Sequence, residues 1–462
     1  MTLIKSISGI RGTIGGKAGD GLTPMDIVKF VSAFGYWISR SQANARSKVV
    51  IGRDARISGA MLNSLTSGTL QGLGIDVIDL GLSTTPTVEV AVVEEKAQGG
   101  IILTASHNPK QWNALKLLNE KGEFISGEDG AEVLEIAENE SFRFAEVDEL
   151  GTIEFKHDWI EKHIEMILEL PGVNKDLITS MDFKVAIDCV NSTGGLALPP
   201  LLKALGVAKV IELYCEPSGD FPHNPEPLPE NLKDLSAIVK DQGAHLGFAV
   251  DPDVDRLAIV CEDGEMFGEE YTLVAVADYV LGLNKGPVVS NLSSSRALRD
   301  VAENHGQQYF ASAVGEVNVV SMMKLQNAVI GGEGNGGIIV PDLHYGRDAL
   351  AGIALFLSHL AKSGKKCSEL RAIYPEYHMS KNKIALTPEI DVDQILDLIA
   401  SRNRKEKVST VDGVKIDYEN GWVHLRKSNT EPIIRIYSES TTPEKAQELA
   451  QAIIDDVNVI VQ

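Results

Sequence analysis

The sequence of 462 residues has few cysteines, few aromatic residues and a deficit of basic residues. The four cysteines show no CxxC spacing, which argues against a cysteine metal site and indicates buried free thiols in a reducing compartment. Lys and Arg total 43 against 65 Asp and Glu, so the net charge is -22. Nucleic acids and anionic membranes require a basic face, so neither is expected as a main partner.

Long hydrophobic runs are also missing. The first six residues, MTLIKS, contain no apolar signal core. No apolar run approaches the about 20 residues that a membrane-spanning helix needs. We therefore expect a cytoplasmic protein without a membrane partner. Since the chain is longer than a single hydrophobic core can fill, about three or four domains are expected.

Short apolar runs alternate with amphipathic helical patterns along most of the chain. Such alternation predicts parallel or mixed sheets covered by helices, an α/β architecture. The predicted strands comprise residues 49–51, 77–80, 99–103, 185–188, 210–213, 246–250, 287–290, 308–312 and 328–331. The predicted helices comprise residues 60–73, 158–170 and 348–362.

From about residue 376 the pattern changes to that of an α+β domain with an antiparallel sheet. Asn420-Gly421 predicts a hairpin turn between its first two strands. The predicted strands are residues 411–416, 422–426 and 433–438. The predicted helices are residues 392–402 and 443–459. The expected domain limits are 1–152, 153–258, 259–372 and 373–462.

Three glycine-containing loops each follow an apolar run in the first three stretches. They comprise residues 52–54, 192–195 and 331–337. Their shared position after a strand is weak evidence for related domain units.

Residues 104–109, with the sequence TASHNP, follow the apolar run 99–103, which predicts a buried strand. The Asn-Pro step cannot continue that strand, because the residue before a proline is restricted to extended or turn geometry. Ser106 is therefore expected in a stiff turn at a strand end, as a candidate nucleophile or phosphate carrier. Since most Ser-His pairs in loops only cap or solvate, the stretch needs support from elsewhere in the chain.

That support comes from residues 251–256, with the sequence DPDVDR, which follow the predicted strand 246–250. Alternate residues of an extended segment face the same side, so Asp251, Asp253 and Asp255 are expected to converge. Three close carboxylates repel one another unless a cation neutralises them, and oxygen-only ligands favour Mg²⁺ over Zn²⁺. An acidic surface turn is the alternative, but a loop fed by a buried strand lies where ligands bind.

Other metal or nucleophile chemistries fit these two loops less well. A calcium-binding helix–loop–helix would need glycine where Arg256 stands and a helix before the loop, although Glu262 fits its twelfth position. An aspartyl phosphatase with Asp251 as nucleophile would leave Ser106 without a role. A serine hydrolase needs a base within reach, and the adjacent side chains of Ser106 and His107 are expected to diverge. A hydroxyl group and a magnesium site together indicate phosphoryl transfer.

Two further loops offer groups that a phosphosugar needs. Residues 426–432, with the sequence RKSNTEP, provide a guanidinium, two hydroxyls and an amide, although an ordinary polar hairpin is slightly favoured on motif grounds. Residues 332–337, with the sequence GEGNGG, allow close backbone approach and present a carboxylate and an amide. No helix with the spacing of a dinucleotide-binding motif follows them. Taken singly, Arg11 and Lys116 are more commonly surface cations.

Together, the serine loop 104–109, the metal loop 251–256, the sugar loop 332–337 and the phosphate loop 426–430 resemble those of the α-D-phosphohexomutases. Their order and separations match this family, and the resemblance covers essentially the whole chain. It implies three related mixed-sheet α/β domains and a C-terminal α+β domain around a central cleft. Each domain would contribute one loop, with Mg²⁺ bound in the second.

The resemblance also implies roles for individual residues. Phosphorylated Ser106 would hand its phosphate to a hexose or hexosamine monophosphate, the resulting sugar bisphosphate would reorient, and its other phosphate would return to the serine. Mg²⁺ would lie between that phosphate and Asp251, Asp253 and Asp255. The residues expected to assist near the serine are Arg11, His107 and Lys116. The residues expected to bind the substrate are Arg256, Glu333, Asn335, Arg426, Ser428, Asn429, Thr430 and Arg435.

Two departures from the family pattern bear on the substrate. Many members have serine in the fourth position of the sugar loop and histidine or an aromatic residue at its end, where this chain has Asn335 and then glycines. Residues 113–116, NALK, replace the more usual NGIK. The loop is most similar to that of archaeal-type phosphoglucosamine mutases, which implies interconversion of glucosamine 6-phosphate and glucosamine 1-phosphate. Phosphomannomutase or phosphoglucomutase activity is the alternative, followed by a non-catalytic phosphosugar-binding protein; a monomer or homodimer is expected.

Overall fold

The computed structural model describes residues 2–6, 9–40, 46–385, 391–427 and 433–461. Within these ranges the chain forms three mixed sheets and one antiparallel sheet, together with helices. This arrangement confirms the predicted class of three α/β domains followed by an α+β domain. Among the residues that the structure describes, no helix is both long and apolar enough to cross a membrane.

The first sheet has the strand order β1-β2-β6-β5-β3-β4-β7. Its strands, β1 to β7 in turn, are Ile4–Ser6, Gly9–Thr13, Lys48–Arg53, Asp76–Leu82, Gly99–Leu103, Trp112–Leu118 and Ile153–Phe155. The helices α1 to α4 are Pro24–Ser39, Gly59–Gly72, Thr85–Glu94 and Gly127–Asn139. Strand β5 is buried at every position, as expected for a parallel strand with both faces covered.

The second sheet has the order β11-β10-β8-β9, where β8 to β11 are Lys184–Asp188, Lys209–Leu213, Leu246–Val250 and Leu257–Cys261. Helices α5 to α8 are Trp159–Leu168, Lys175–Ser180, Gly194–Ala204 and Lys233–Gln242. The third sheet has the order β13-β12-β14-β15, where β12 to β15 are Val288–Asn291, Tyr309–Ser312, Ile330–Glu333 and Gly337–Ile339. Helices α9 to α13 are Glu269–Leu281, Ala297–Asn304, Glu316–Gln326, Ala349–Ser363 and Cys367–Arg371.

The fourth sheet is antiparallel, with the order β16-β20-β19-β18-β17. Its strands, β16 to β20 in turn, are His378–Ala385, Lys407–Ser409, Val414–Tyr418, Gly421–Lys427 and Ile433–Ser440. Helices α14 and α15 are Val392–Arg402 and Pro443–Val461. The hairpin turn between β18 and β19 is Glu419-Asn420, one residue earlier than predicted, because Gly421 already pairs with Tyr418 and Ser440. A side chain at Gly421 would meet the Glu439 carbonyl oxygen at 2.3 Å.

The first three sheets contain the same four-stranded unit. In each unit the strands stand in the order second, first, third, fourth: β4-β3-β5-β6, β9-β8-β10-β11 and β13-β12-β14-β15. The first three strands are parallel and the fourth returns antiparallel. The connections between third and fourth strands, residues 104–111, 251–256 and 334–336, are therefore equivalent. The glycine loops that suggested related units do not all occupy equivalent positions. Residues 52–54 lie at the end of the first strand β3 and 192–195 come after the first strand β8, whereas 331–337 run from the third strand β14 into β15.

The second and third domains share one hydrophobic core. Phe248 on β10 and Phe267 both pack edge-on against Phe356 of α12, with ring centroids 6.2 and 5.1 Å apart. A shared apolar core indicates that these two domains form one packed unit. The predicted domain limit at 152 falls just before β7, which pairs with β4 of the first sheet. The predicted limit at 258 falls inside β11, which pairs with β10 of the second sheet. Limits drawn by sheet membership lie after Phe155 and Cys261.

Candidate active site

Ser106 lies in the connection between β5 and β6, at the edge where the parallel strands of the first sheet end. Its side chain is almost buried, with 7% of the residue exposed. The backbone is in the left-handed region, with φ of +48°. Such a conformation is uncommon for a residue other than glycine and costs backbone strain. The Ser106 amide donates to Thr104 Oγ1 at 3.0 Å, which helps to hold the turn.

Arg56 holds the serine loop from behind. Its side chain is fully buried, and its Nε donates to Asp54 Oδ2 at 2.9 Å. Its terminal nitrogens donate to four carbonyl oxygens of the loop at 2.5 to 3.1 Å, those of Ser106, Asn108, Pro109 and Trp112. One guanidinium thus pairs with three carbonyl oxygens of the irregular segment 104–111 and with that of Trp112, the first residue of β6. Arg56 carries no sequence signal that distinguishes it from a surface arginine.

The aspartate loop follows β10 and forms a tight turn. The Val254 amide donates to the Asp251 carbonyl oxygen at 3.1 Å, and Val254 has a φ of +64°. The expected reason for convergence, an extended segment with alternating side chains, is therefore wrong. The turn itself gathers Asp251, Asp253 and Asp255, whose nearest oxygens all lie within 4.8 Å of one another. All three residues are fully buried.

The serine and aspartate loops meet at Asp251. Ser106 Oγ donates to Asp251 Oδ2 at 2.6 Å. The other oxygen, Oδ1, accepts from the backbone amides of Asp255 and Arg256, each at 3.1 Å. Asp251 therefore joins the hydroxyl of the first domain to the acidic turn of the second.

Buried cations from two other segments surround the acidic turn. Lys116 Nζ lies 2.7 Å from Asp253 Oδ2 and 3.4 Å from Asp255 Oδ2. Arg347 Nη2 lies 2.7 Å from the same Asp255 oxygen. Thr85 Oγ1 also donates to Asp253 Oδ2 at 2.6 Å. Lys116 is thus a buried residue of strand β6 rather than a surface cation.

The pKa values reflect this arrangement of charges. Burial raises the pKa of Asp251 well above its ordinary value, and the neighbouring Asp255 and Asp253 carboxylates add to the rise. Burial also acts against ionised Asp255, but the Arg347, Lys116 and Arg256 cations hold its pKa below the ordinary value. Burial opposes the charged form of Lys116 as well, yet Asp253 and Asp255 raise its pKa. The turn therefore combines a carboxyl group with a raised pKa, Asp251, and one with a lowered pKa, Asp255.

The aspartate loop fits a magnesium ion. Within the described residues, Asp253 Oδ1 and Asp255 Oδ1 are buried atoms without a hydrogen-bond partner. Unpaired buried carboxylate oxygens are costly unless a cation takes them up. The donors are all oxygens, which suits Mg²⁺. The calcium helix–loop–helix does not fit, since strand β10 precedes the turn and Glu262 binds Ser368 instead.

His107 and Arg11 lie beside Ser106. His107 Nδ1 is 3.4 Å from Ser106 Oγ, so the expectation that these adjacent side chains diverge is wrong; the left-handed backbone of Ser106 accompanies this approach. Arg11 Nη1 donates to Asn108 Oδ1 at 3.4 Å. Burial, and then the charge of Arg256, lower the pKa of both His107 and Arg11. His107, Arg11 and Arg256 are therefore close enough around Ser106 to affect one another's charge.

The sugar loop, residues 332–337, is anchored to the same centre. Arg347 Nη1 lies 2.6 Å from Glu333 Oε2, while its Nη2 contacts Asp255. Glu333 Oε1 accepts from Asn291 Nδ2 at 2.8 Å and from the Gly315 amide at 3.1 Å. Arg347 therefore links the sugar loop of the third domain to the aspartate loop of the second, although no sequence motif marks it.

Asn335 and Arg256 face different partners. Asn335 Oδ1 accepts from the Gly337 amide at 3.2 Å, within the sugar loop itself. Arg256 Nη1 lies 3.5 Å from Glu226 Oε1. Arg256 Nε is buried and, in the part of the chain that the structure describes, makes no hydrogen bond. Arg256 Nε lies 4.0 Å from Asp255 Oδ1, which is an ion-pair distance but too long for a hydrogen bond.

Of the phosphate loop 426–432, the structure describes only Arg426 and Lys427. Arg426 on β19 pairs in register with Arg435 on β20, so two guanidinium groups stand on neighbouring strands. Burial lowers the pKa of Arg426, and the Arg435 charge acts in the same direction. The expected substrate residues Ser428, Asn429 and Thr430 lie outside the described residues.

Comparison with known proteins agrees with this domain order. The phosphoglucomutase/phosphomannomutase models match residues 3–144 as α/β/α domain I, 161–264 as domain II, 268–377 as domain III and 383–456 as the C-terminal domain. A Thermococcus kodakarensis protein named phosphoglucomutase/phosphomannomutase is 40% identical over 443 residues, which cover 95% of this chain and 96% of that protein.

Two other similar proteins span the whole chain. A probable phosphoglucosamine mutase of Methanopyrus kandleri is 33% identical, with 98% of each chain covered. The crystal structure of a phosphoglucomutase/phosphomannomutase family protein from Burkholderia thailandensis superposes with a TM-score of 0.83 at 26% identity. It covers 99% of this chain and 98% of that one.

Proposed function

As this chain belongs to the phosphoglucomutase/phosphomannomutase family, we propose that it interconverts glucosamine 6-phosphate and glucosamine 1-phosphate through a phosphoserine at Ser106. One observation carries this proposal. Ser106 Oγ lies 2.6 Å from an oxygen of Asp251, which belongs to a buried cluster of three carboxylates. A phosphate carried by this hydroxyl would stand directly beside the magnesium ligands, as phosphoryl transfer requires.

The transfer forms one bond and breaks one. A sugar hydroxyl oxygen bonds to the phosphorus of phosphorylated Ser106, the P–Oγ bond breaks, and the hydroxyl proton passes to the serine oxygen. The product is a sugar bisphosphate. After it reorients, its other phosphate returns to Ser106 by the reverse step, which leaves the isomeric monophosphate. Asp251, Asp253 and Asp255 would hold Mg²⁺, whose charge neutralises phosphate oxygens when it is bound.

The cations near Ser106 have positions that suit this chemistry. Lys116, 2.7 Å from Asp253, and Arg11, which donates to Asn108 of the serine loop, would stabilise charge and assist proton transfer. His107 Nδ1, 3.4 Å from Ser106 Oγ, would orient the hydroxyl. Fixed cations and donors that need no rearrangement are the main source of catalysis in phosphoryl transfer.

The other loops would bind the sugar and its non-reacting phosphate. Glu333 and Asn335 would contact sugar groups, and Arg256, whose Nε makes no hydrogen bond to the described residues, would contact phosphate. In the fourth domain the phosphate-binding set would be Arg426, Ser428, Asn429, Thr430 and Arg435. A fixed phosphate site beside one reactive site would let both orientations of the bisphosphate be processed.

The substrate has two candidate substituents at C2 of the sugar, an amino group or a hydroxyl group. The Methanopyrus kandleri relative and the GEGNGG sugar loop support an amino sugar. The Thermococcus kodakarensis relative supports mannose or glucose phosphates as the alternative. Since hexoses that differ only at C2 share most contacts, glucosamine, mannose and glucose phosphates should be assayed side by side with a sugar bisphosphate activator.

We further propose a cytoplasmic enzyme, monomeric or homodimeric, without nucleic-acid or membrane partners. The net charge of -22 supports this, because both polyanions need a basic face. The domain limits 1–152, 153–258, 259–372 and 373–462 remain a working division, with the sheet-based limits above as its refinement.

The Ser106→Ala variant tests the mechanism. We expect its turnover to collapse while binding of glucosamine 6-phosphate, measured calorimetrically, persists. Ser58→Ala is the matched control, because its hydroxyl contacts Asn113 in the same domain and should leave turnover intact. Turnover that survives in Ser106→Ala contradicts the phosphoserine, and release of inorganic phosphate without isomer formation would identify a phosphatase.

A further inference from the structure

A second buried cluster of titratable side chains lies where the first three domains meet. His163 comes from α5, and His344 and Asp348 come from the segment that leads into α12. Glu89 and Thr87 of α3 close the cluster from the first domain. All five residues are at least nine-tenths buried. The proposed phosphoryl transfer uses none of them.

Two imidazoles converge on one oxygen of Asp348. His163 Nε2 lies 3.0 Å and His344 Nε2 lies 3.3 Å from Asp348 Oδ2. The three atoms lie within 4.8 Å of one another. The second oxygen, Oδ1, is occupied by the first turn of α12, where it accepts from the Leu350 and Ala351 amides at 2.8 and 3.1 Å. Asp348 therefore has one fixed oxygen and one that faces the two rings.

The other nitrogen of each ring faces the first domain. His163 Nδ1 is 3.0 Å from Thr87 Oγ1, and His344 Nδ1 is 3.2 Å from Glu89 Oε2. A histidine that ligates a metal through one nitrogen almost always presents the other to a carboxylate, hydroxyl or carbonyl. Both rings have this arrangement, and both Nε2 atoms face Asp348 Oδ2, His344 Nε2 within hydrogen-bond distance and His163 Nε2 without an aligned hydrogen bond.

Hydrogen bonds alone leave the cluster incomplete. Within the described ranges, four of its buried polar atoms lack an aligned hydrogen-bond partner: His163 Nε2, His344 Nδ1 and both carboxylate oxygens of Glu89. His163 Nε2 and Asp348 Oδ2 are only 3.0 Å apart, and the two atoms form a close ion-pair contact without an aligned hydrogen bond. Ligand atoms around a tetrahedral zinc ion, with bonds of about 2.0–2.1 Å, are about 3.3–3.4 Å apart. The two separations that involve Asp348 Oδ2, 3.0 and 3.3 Å, are close to that value, and the two Nε2 atoms lie within 4.8 Å of each other.

We propose that His163, His344 and Asp348 bind a divalent transition-metal ion, best zinc, that joins the first three domains. Two imidazoles and a carboxylate suit Zn²⁺ and its neighbours, whereas Mg²⁺ prefers oxygen ligands alone. Deep burial and ligands from two domains, with supporting contacts from a third, favour a structural ion. This site is separate from the aspartate cluster and does not depend on the proposed activity.

The test uses the full chain without a polyhistidine tag. After chelation and removal of the chelator, cobalt(II) serves as a spectroscopic probe and zinc as the competitor. With excess Mg²⁺ present to occupy the aspartate cluster, we expect wild-type protein to bind one equivalent of cobalt with intense visible d–d absorption, which zinc then displaces. His163→Gln should weaken cobalt binding by about 100-fold or more, since loss of even a supporting residue costs 10–100-fold.

His359→Gln is the matched control. His359 and His305 also flank one carboxylate, Asp278, but they contact different oxygens, and the Tyr374 hydroxyl stands between His359 and Asp278 at 2.8 and 3.0 Å. This variant should bind cobalt as the wild type does. Equal cobalt affinity in His163→Gln and wild type would overturn the proposal.

A measurement on wild-type protein covers the case in which His163→Gln does not fold. X-ray absorption of the zinc-loaded protein should show two imidazole ligands and oxygen donors. A spectrum without imidazole scattering, or a folded wild-type protein that takes up neither zinc nor cobalt, would likewise refute the site.

Discussion

The aspartate cluster and the imidazole cluster are both buried where domains meet, but they balance their charges differently. The aspartate cluster consists of carboxylates from one turn and depends on Lys116 and Arg347 from other segments. The imidazole cluster alternates imidazole rings and carboxylates, so Asp348 and Glu89 each have a ring nitrogen within 3.3 Å. Two equally buried clusters therefore present different atoms to a metal ion, oxygens alone in one and imidazole nitrogens with an oxygen in the other.

The pKa values express this difference. In the aspartate cluster, burial and like-charged neighbours raise the pKa of Asp251. In the imidazole cluster, burial disfavours ionised Asp348, but the His163 and His344 rings hold its pKa below the ordinary value. The same degree of burial thus has opposite outcomes, because the nearest partners differ in sign. The donor atoms also separate the two sites, since oxygen alone suits magnesium and imidazole suits zinc.

Removing Lys116 should have the largest effect on stability. Lys116→Met leaves Asp253 and Asp255 buried with one cation fewer, and breaking a buried ion pair from one side costs about 3–5 kcal/mol. We expect the free energy of unfolding, measured by urea denaturation in EDTA, to fall by this amount. Added Mg²⁺ should restore part of the loss, because it supplies the missing positive charge. An unchanged urea midpoint in EDTA would show that the aspartate cluster does not rely on this lysine.

The sequence predicts the chemistry of the aspartate cluster because that chemistry is concentrated locally. Ser106 and the three aspartates stand in short loops directly after apolar strands, and strand ends are where α/β sheets bind ligands. The class of each domain follows from the alternation of strands and helices. The reason for aspartate convergence was not predictable, since the tight turn depends on the left-handed backbone of Val254.

Residues that act singly across long sequence distances carry no such signal. Arg56 reaches a loop about 50 residues away, and Arg347 joins two loops of different domains. His163 and His344 come into contact only when the second and third domains pack against each other. The sequence does not show that strand β6 is buried, because Asn113 and Lys116 interrupt its apolar pattern. Both side chains make polar contacts inside the protein.

Lys415 is a buried cation outside the two clusters, and its burial can be compared with theirs. Its Nζ donates to the Leu292 carbonyl oxygen at 2.8 Å and lies 4.2 Å from the Trp422 ring centre. Burial lowers its pKa from 10.5 to about 8. Between these values Lys415 binds more protons in the unfolded chain than in the folded one, so its contribution to stability rises as pH increases from 8 to 10.5.

The expected gain across this window is roughly 2–4 kcal/mol, and the Lys415→Met variant should lack it. The measurement is the difference between the two proteins in free energy of unfolding at several pH values, in which other titrating groups cancel. A constant difference from pH 8 to 10.5 would contradict the lowered pKa.

Magnesium should stabilise the protein through the aspartate cluster alone. At a free Mg²⁺ concentration 100-fold above its dissociation constant, a ligand bound only to the folded state adds about 2.7 kcal/mol. Asp253→Asn removes one of the unpaired oxygens and should abolish most of this gain. Asp263→Asn, at an exposed turn after β11, is the control and should respond to Mg²⁺ like the wild type. Equal stabilisation of both variants would place the bound magnesium elsewhere.

The smallest effect is expected at an exposed ion pair between the same two domains that Lys116 joins. Lys110 Nζ lies 2.9 Å from Asp220 Oδ1, but the two side chains are 56% and 72% exposed. Water and salt screen such a pair, and holding two flexible side chains in place costs entropy, so Lys110→Met should change the free energy of unfolding by less than about 1 kcal/mol. Measured under the same urea conditions as Lys116→Met, it isolates burial as the variable. If the two variants lose equal stability, burial is not what makes the Lys116 contact strong.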